Sequence, residues 1–209
     1  MLQSLSTKRI AVLAGLACLL AVAASPAAEL QDVTVELEDG RYTLRSETWF
    51  AAERESLFRV LTNFDLFKEF TSAIVESKNV APDEQGRPQF YARMEGCVLL
   101  FCKSFIRNGY VLTEPTVEII AISDPERSDF EFSRERWELV TDGDGTRMIY
   151  EFEMEPAFWV PPVIGPYYIK RALRDGGARA VQRIEWLALA DAGQLVDQQQ
   201  KVVQSGSEQ

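Results

Sequence analysis

Residues 146–187 read TRMIYEFEMEPAFWVPPVIGPYYIKRALRDGGARAVQRIEWL, and two periodicities meet inside this stretch. Met148, Tyr150, Phe152 and Met154 alternate with Arg147, Ile149, Glu151 and Glu153, the period of a strand with one buried face. Pro156 ends that pattern. After Phe158-Trp159-Val160-Pro161-Pro162 the spacing becomes helical, with Ile169, Leu173, Gly176/Gly177, Ala180, Ile184 and Leu187 on one stripe. Pro162 or Pro166 suits the first turn of that helix. Gly176-Gly177 should cost about 1 kcal/mol per glycine against alanine there, and marks a kink or a close approach. The stripe needs an apolar surface to cover it, and the preceding strand belongs to the sheet that supplies one.

Upstream lie further strands separated by turn signals. Residues 129–140 precede Asp142-Gly143-Asp144-Gly145, which reads as a hairpin turn, since the remaining ligands of a calcium loop are missing. Before it come residues 116–123, 103–112, 89–96 and 72–80, divided by Asp124-Pro125-Glu126, Glu114-Pro115, the Cys97–Cys102 region and the Pro82 to Pro88 loop. Short connections between successive strands imply an antiparallel meander. From Glu53 to Phe70 the apolar residues are Leu57, Phe58, Val60, Leu61, Phe64, Phe67 and Phe70, and spacings of three and four dominate. Asn63 and Asp65 can break and recap this run, giving two short helices. Residues 33–37 and 41–50, joined by Asp39-Gly40, form a first hairpin.

This order resembles the START-like helix-grip fold of the SRPBCC superfamily, which includes polyketide cyclases, lipid-transfer and coenzyme Q-binding proteins. The resemblance covers roughly residues 42–190. It is carried by Trp49-Phe50-Ala51-Ala52 with Leu57 to Asp65 and Phe70, by Trp137-Glu138-Leu139 with Gly145-Thr146, and by Glu155-Pro156 through the final helix. It implies an α+β fold. A curved antiparallel sheet of about six to seven strands would wrap a long C-terminal helix, with two short helices after the first strand. It also implies a cavity between sheet and helix. The candidate lining is Phe90, Met94, Ile106, Tyr110, Trp137, Tyr150, Phe152 and Met154 from strands, with Ile169 and Leu173 from the helix. The same side chains would equally serve a filled core, and the fold alone does not choose a function.

The 209 residues contain no histidine, which excludes a His general base, a Ser-His or Cys-His couple and a His-ligated zinc. Thirty-two acidic against 22 basic residues, net charge −10, argue against nucleic acid as partner. The sequence points to no metal and no cofactor. Glu95 and Glu151 fall opposite the apolar set on their strands. Arg134, Glu135, Arg136 and Glu138 read as cross-strand ion pairs on an exposed face. No inward carboxylate pair is expected. Binding or transport of a hydrophobic small molecule, a lipid or a quinone-like compound, is therefore favoured. A cyclase or aromatase type of enzyme, or an envelope interaction protein with a filled core, remains the alternative.

Residues 1–28 read as a secretory signal. Lys8 and Arg9 precede a 15-residue apolar run, and Ser25 and Ala27 stand at the −3 and −1 positions of a small-residue cleavage site. The alternative, an N-terminal membrane anchor, meets a run short of the ~20 residues a spanning helix needs. Removal lowers the net charge to −12 and implies a periplasmic or secreted protein. Cys97 and Cys102 would then lie in an oxidising compartment. On one continuous strand they would be about 17 Å apart, as buried free thiols. If the chain reverses between them they form a cystine at the neck of a hairpin, with Val98-Leu99-Leu100-Phe101 as an apolar tip suited to brief membrane contact or gating. The domain is expected to occupy residues 29–190. Residues 191–209, rich in Gln, Ser and Gly, read as a disordered polar tail.

Overall fold

The computed structural model describes residues 28–98, 101–162 and 164–206. Eight strands form one antiparallel sheet: β1 Glu29–Glu38, β2 Arg41–Phe50, β3 Ile74–Val80, β4 Gln89–Val98, β5 Phe101–Glu114, β6 Glu118–Ser123, β7 Phe130–Asp142 and β8 Gly145–Pro156. Their spatial order is β1-β2-β8-β7-β6-β5-β4-β3. The sheet therefore has one strand more than the upper expectation, because β1, which precedes the residues that carry the resemblance, pairs with β2 at its edge. Every neighbouring pair along the chain is a hairpin except β2 to β3. That connection, α1 Arg54–Thr62 and α2 Phe67–Phe70, crosses from one side of the sheet to the far edge.

Asn63 separates the two helices as its side chain suggests. Its Oδ1 accepts from the Asp65 N–H at 3.2 Å and from Asn79 Nδ2 at 2.8 Å, which ties the break to β3. The apolar face of this segment is buried with Phe50, Ile119 and Leu139 of the sheet and Val181, Ile184 and Ala188 of the last helix. Outside, charges alternate. Arg136 bridges Glu118, Glu138 and Glu151, Arg134 meets Glu153, and Arg45 donates to Glu151. Glu151 thus faces away from the core, as does the exposed Glu95, which pairs with Arg93 at 3.1 Å.

The last helix, α3, runs Gly165–Gly206, 42 residues. The disordered tail expected from residue 191 is corrected to helix through Gly206. Ala, Leu, Gln and Lys are good helix formers, and no proline interrupts the stretch. Arg59 of α1 also pairs with Asp191 at 2.8 Å, just where the tail was to begin. The double glycine does not break the helix.

Cys97 and Cys102 are directly opposite on β4 and β5 and are disulfide-bonded, so the chain reverses between them. Leu99 and Leu100 lie outside the described residues. Because the bridge closes a very short loop already held by a hairpin, its reduction should cost no more than about 2 kcal/mol. Urea titrations with and without reductant measure this.

Candidate functional site

The inner face of the sheet, the α1–α2 segment and α3 leave a cavity of about 200 Å³. That is below the ~300–1,000 Å³ of drug-sized sites. Three aromatic rings form one end. Phe64 stacks on Phe67 at 4.1 Å, and Phe67 meets Trp137 edge-on at 6.0 Å. The spacing of three along 64–70 turns Phe64, Phe67 and Phe70 to the same side. Ala180, Val181 and Ile184 of α3 close the roof, and Gly176 and Gly177 also border the space. Among the lining residues Ala73 and Ala172 are exposed and mark the mouth. A Cβ added at Gly176 would meet nothing within 4 Å. Gly176→Ala should therefore stabilise the protein by about 0.5–1 kcal/mol through helix propensity, read as a higher urea midpoint at unchanged slope.

Of the residues singled out from sequence, Met94, Trp137, Tyr150, Phe152 and Leu173 line the cavity. Phe90 is fully buried behind it, stacked on Phe64 at 4.5 Å. Met154 and Ile169 belong to a second apolar cluster with Tyr42, Leu44 and Phe130. Ile106 and Tyr110 are corrected: they point to the opposite face. Ile106 is 36 % exposed, and Tyr110 lies under the Arg87 guanidinium at 3.9 Å. The inward residues of β5 are Arg107, Gly109 and Val111. A one-residue error of phase exchanges the two faces of a strand. Glu135 is corrected likewise. Its neighbours Arg134 and Arg136 face outward, but Glu135 is buried within.

The corrected phases bring three polar side chains together on the apolar wall. Arg107 Nη1 lies 3.0 Å from Glu135 Oε2, and both side chains are nearly withdrawn from solvent. Tyr150 donates its hydroxyl to Glu135 Oε1 at 2.8 Å. Arg107 Nε donates to Ser123 Oγ at 3.3 Å. Desolvation first, and then the charge and hydrogen bond of Glu135, raise the Tyr150 hydroxyl well above the ordinary phenol range; the Arg107 charge opposes this. Tyr150 therefore stays a neutral donor. Arg107 Nη2 is buried and has no hydrogen-bond partner. Buried donors of this kind are normally satisfied; Glu135 Oε2 likewise has no hydrogen-bond partner, although it faces Arg107 as an ion pair, and both residues border the cavity. The guanidinium also sits 5.2 Å from the Phe152 ring centre. The sequence signal for Arg107 is the β4–β5 register, which sets it opposite Ala92.

No family model matches the sequence, and no curated protein matches it either. Solved structures do. A START superfamily protein from Mycobacterium smegmatis aligns at TM-score 0.55 and 19 % identity, over 71 % of this chain and 97 % of that one. A STAR-related lipid transfer protein fragment from Xanthomonas axonopodis aligns at TM-score 0.55 and 11 % identity, over 75 % and 98 %. The Zhui aromatase/cyclase from Streptomyces aligns at TM-score 0.55 and 10 % identity, over 71 % and 93 %. The single curved sheet, the crossing short helices and the gripped C-terminal helix make this chain, by fold, a START-like helix-grip protein.

Proposed function

We propose that the protein binds a small, mostly apolar molecule carrying a carbonyl or hydroxyl oxygen, with that oxygen on Arg107 Nη2 and the apolar body against Phe64, Trp137 and Phe152. The unpartnered Nη2 of Arg107, a residue that borders the cavity, carries the reading; a ligand oxygen reaches it once the side chain turns toward the space. The Arg107–Glu135 pair is balanced in charge and Tyr150 is neutral, which favours a neutral acceptor over a carboxylate. The lipid-transfer and cyclase neighbours support an apolar cargo. The test compares 1,4-naphthoquinone with naphthalene by calorimetric titration. The protein should prefer the quinone at least tenfold, and Arg107→Leu/Glu135→Leu should remove the preference. Exclusion of both molecules would leave the filled-core reading.

The enzyme reading gains from the same trio, because an inward carboxylate, a phenol and a guanidinium can move a proton at a bound carbonyl. Turnover of a polyketide surrogate, lost in Tyr150→Phe, would establish it.

The signal-like residues 1–28 support carriage in the periplasm or outside the cell. Brief contact with a bilayer is part of the same proposal. Phe158 stacks on Phe105 at 4.6 Å, which ties the segment before α3 to the β4–β5 hairpin that ends in Val98-Leu99-Leu100-Phe101. On that segment Trp159 is 79 % exposed and Tyr167 lies open near it in sequence, residue types suited to a membrane interface. Sedimentation with phosphatidylcholine vesicles, reduced in Trp159→Ser, tests this contact.

A further inference from the structure

Glu185 lies on α3 and is 8 % exposed. Its carboxylate accepts two backbone N–H groups: Ala28 on Oε2 at 2.8 Å and Ala51 on Oε1 at 2.9 Å. Among the described residues no Lys or Arg side chain pairs with it. The charges on the elements around it have other partners: Arg54 meets Glu55, Arg59 meets Asp191, Arg183 approaches Glu69, and Glu47 meets Arg147. Glu53 and Glu29, adjoining Arg54 and Ala28 in sequence, add no positive charge. A carboxylate withdrawn from water and held only by neutral amides lacks the counter-ion that buried charges normally have.

Ala28 is 3 % exposed, and its backbone nitrogen is the atom that Glu185 meets. In the intact chain that nitrogen is an amide with a single hydrogen. The residues at the −3 and −1 positions, Ser25 and Ala27, mark the peptide bond that ends at this same nitrogen, one residue before the end of the signal-like span 1–28. Two independent observations, a cleavage pattern and a buried acid without a cation, thus converge on one atom.

We propose that the Ala27–Ala28 bond is a processing site and that Glu185 is the receptor for the chain terminus released there. An export-linked endopeptidase hydrolyses the bond. Water supplies the oxygen of the new Ala27 carboxylate and hydrogen to the new Ala28 amine, which takes up a proton as the α-ammonium. This ammonium becomes the counter-ion of Glu185 and latches β1 to α3. The precursor holds the same position with an amide and lacks the charge. The inference rests on the export reading above but not on the ligand, so naphthoquinone binding is unaffected by its failure.

The full chain is produced in an exporting bacterium, and the recovered protein is read by intact mass and N-terminal sequencing. It should begin at Ala28. A paired ammonium holds its proton above the ~8 of a free α-amine. Its contribution is complete below that pH in the unfolded chain's terms and is lost as pH rises through the folded value. The melting midpoint should therefore fall by at least about 5 °C between pH 6.5 and 9.5, and Glu185→Gln should abolish most of that fall. Should that variant not fold, acetic anhydride labelling of the wild-type α-amine at pH 8 replaces it, expected at least tenfold slower than in the peptide Ala-Glu-Leu-Gln. A chain that starts elsewhere, an undiminished pH dependence in Glu185→Gln, or labelling at the peptide's rate overturns the proposal.

Discussion

Arg107→Leu should destabilise the protein by about 3–5 kcal/mol, while Arg107→Leu/Glu135→Leu should recover most of that loss. The single substitution removes the one ion partner of Glu135 among the described residues and leaves a carboxylate among Trp137, Phe152 and Tyr150. The double substitution removes both charges and puts apolar volume in their place. Urea unfolding of the wild type and three variants closes the cycle and isolates the coupling. A loss below about 1 kcal/mol for Arg107→Leu would mean that water already solvates the pair. The cavity would then not be the low-dielectric site in which an unpaired N–H is a strong ligand donor. The same measurement therefore bears on both stability and ligand choice.

Phe64→Ala should cost about 3–5 kcal/mol, within the usual range for a buried Phe cut back to Ala. Phe64 is 2 % exposed and is sandwiched between Phe67 and Phe90 at 4.1 and 4.5 Å. Its loss removes two stacking contacts and joins the vacated volume to the existing cavity. The variant should consequently bind 9,10-anthraquinone at least tenfold more tightly than the wild type, whose space is about 200 Å³. Calorimetric titration at a temperature where the variant is folded reads the binding, and urea unfolding reads the loss. Equal affinity of both proteins for anthraquinone would show that the walls collapse on the vacated site.

The architecture was legible because its periods are clean. Met148 to Met154 and Leu57 to Phe70 each keep one phase, and Asp39-Gly40 and Asp142 to Gly145 turn where such residues turn. The site was half legible. On β8 the alternation is unambiguous, so Tyr150 and Phe152 were found. On β5 both phases carry apolar and aromatic residues, Ile106 and Tyr110 against Phe105 and Val111, so local alternation does not decide the buried face. The decisive clue was non-local. Opposite positions on paired strands share a face, and the cystine makes Cys97 face Cys102. That register sets Ala92 against Arg107 and Phe90 against Gly109, so an inward Phe90 requires an inward Arg107. Glu135 was hidden for a different reason. It lies between two arginines on a strand whose outer face is charged, and local composition outweighed the parity that it shares with Trp137.

Strand β2 pairs with β8, and the Arg45–Glu151 contact spans 106 positions of sequence. During synthesis the first hairpin therefore waits with one edge open until residue 156 has been made. At about 5–20 residues per second this lasts several seconds or more. An open edge is a template for the wrong neighbour. The outward positions of β2 hold Arg41, Arg45 and Glu47, each of which pairs with a charge on β8. A growing chain that meets a second copy of this hairpin brings Arg45 near another arginine-bearing strand and not near the glutamates of β8. The correct closing strand thus offers a matched row of charges to β2, and that edge of the hairpin stays unpaired until the residues of β8 exist.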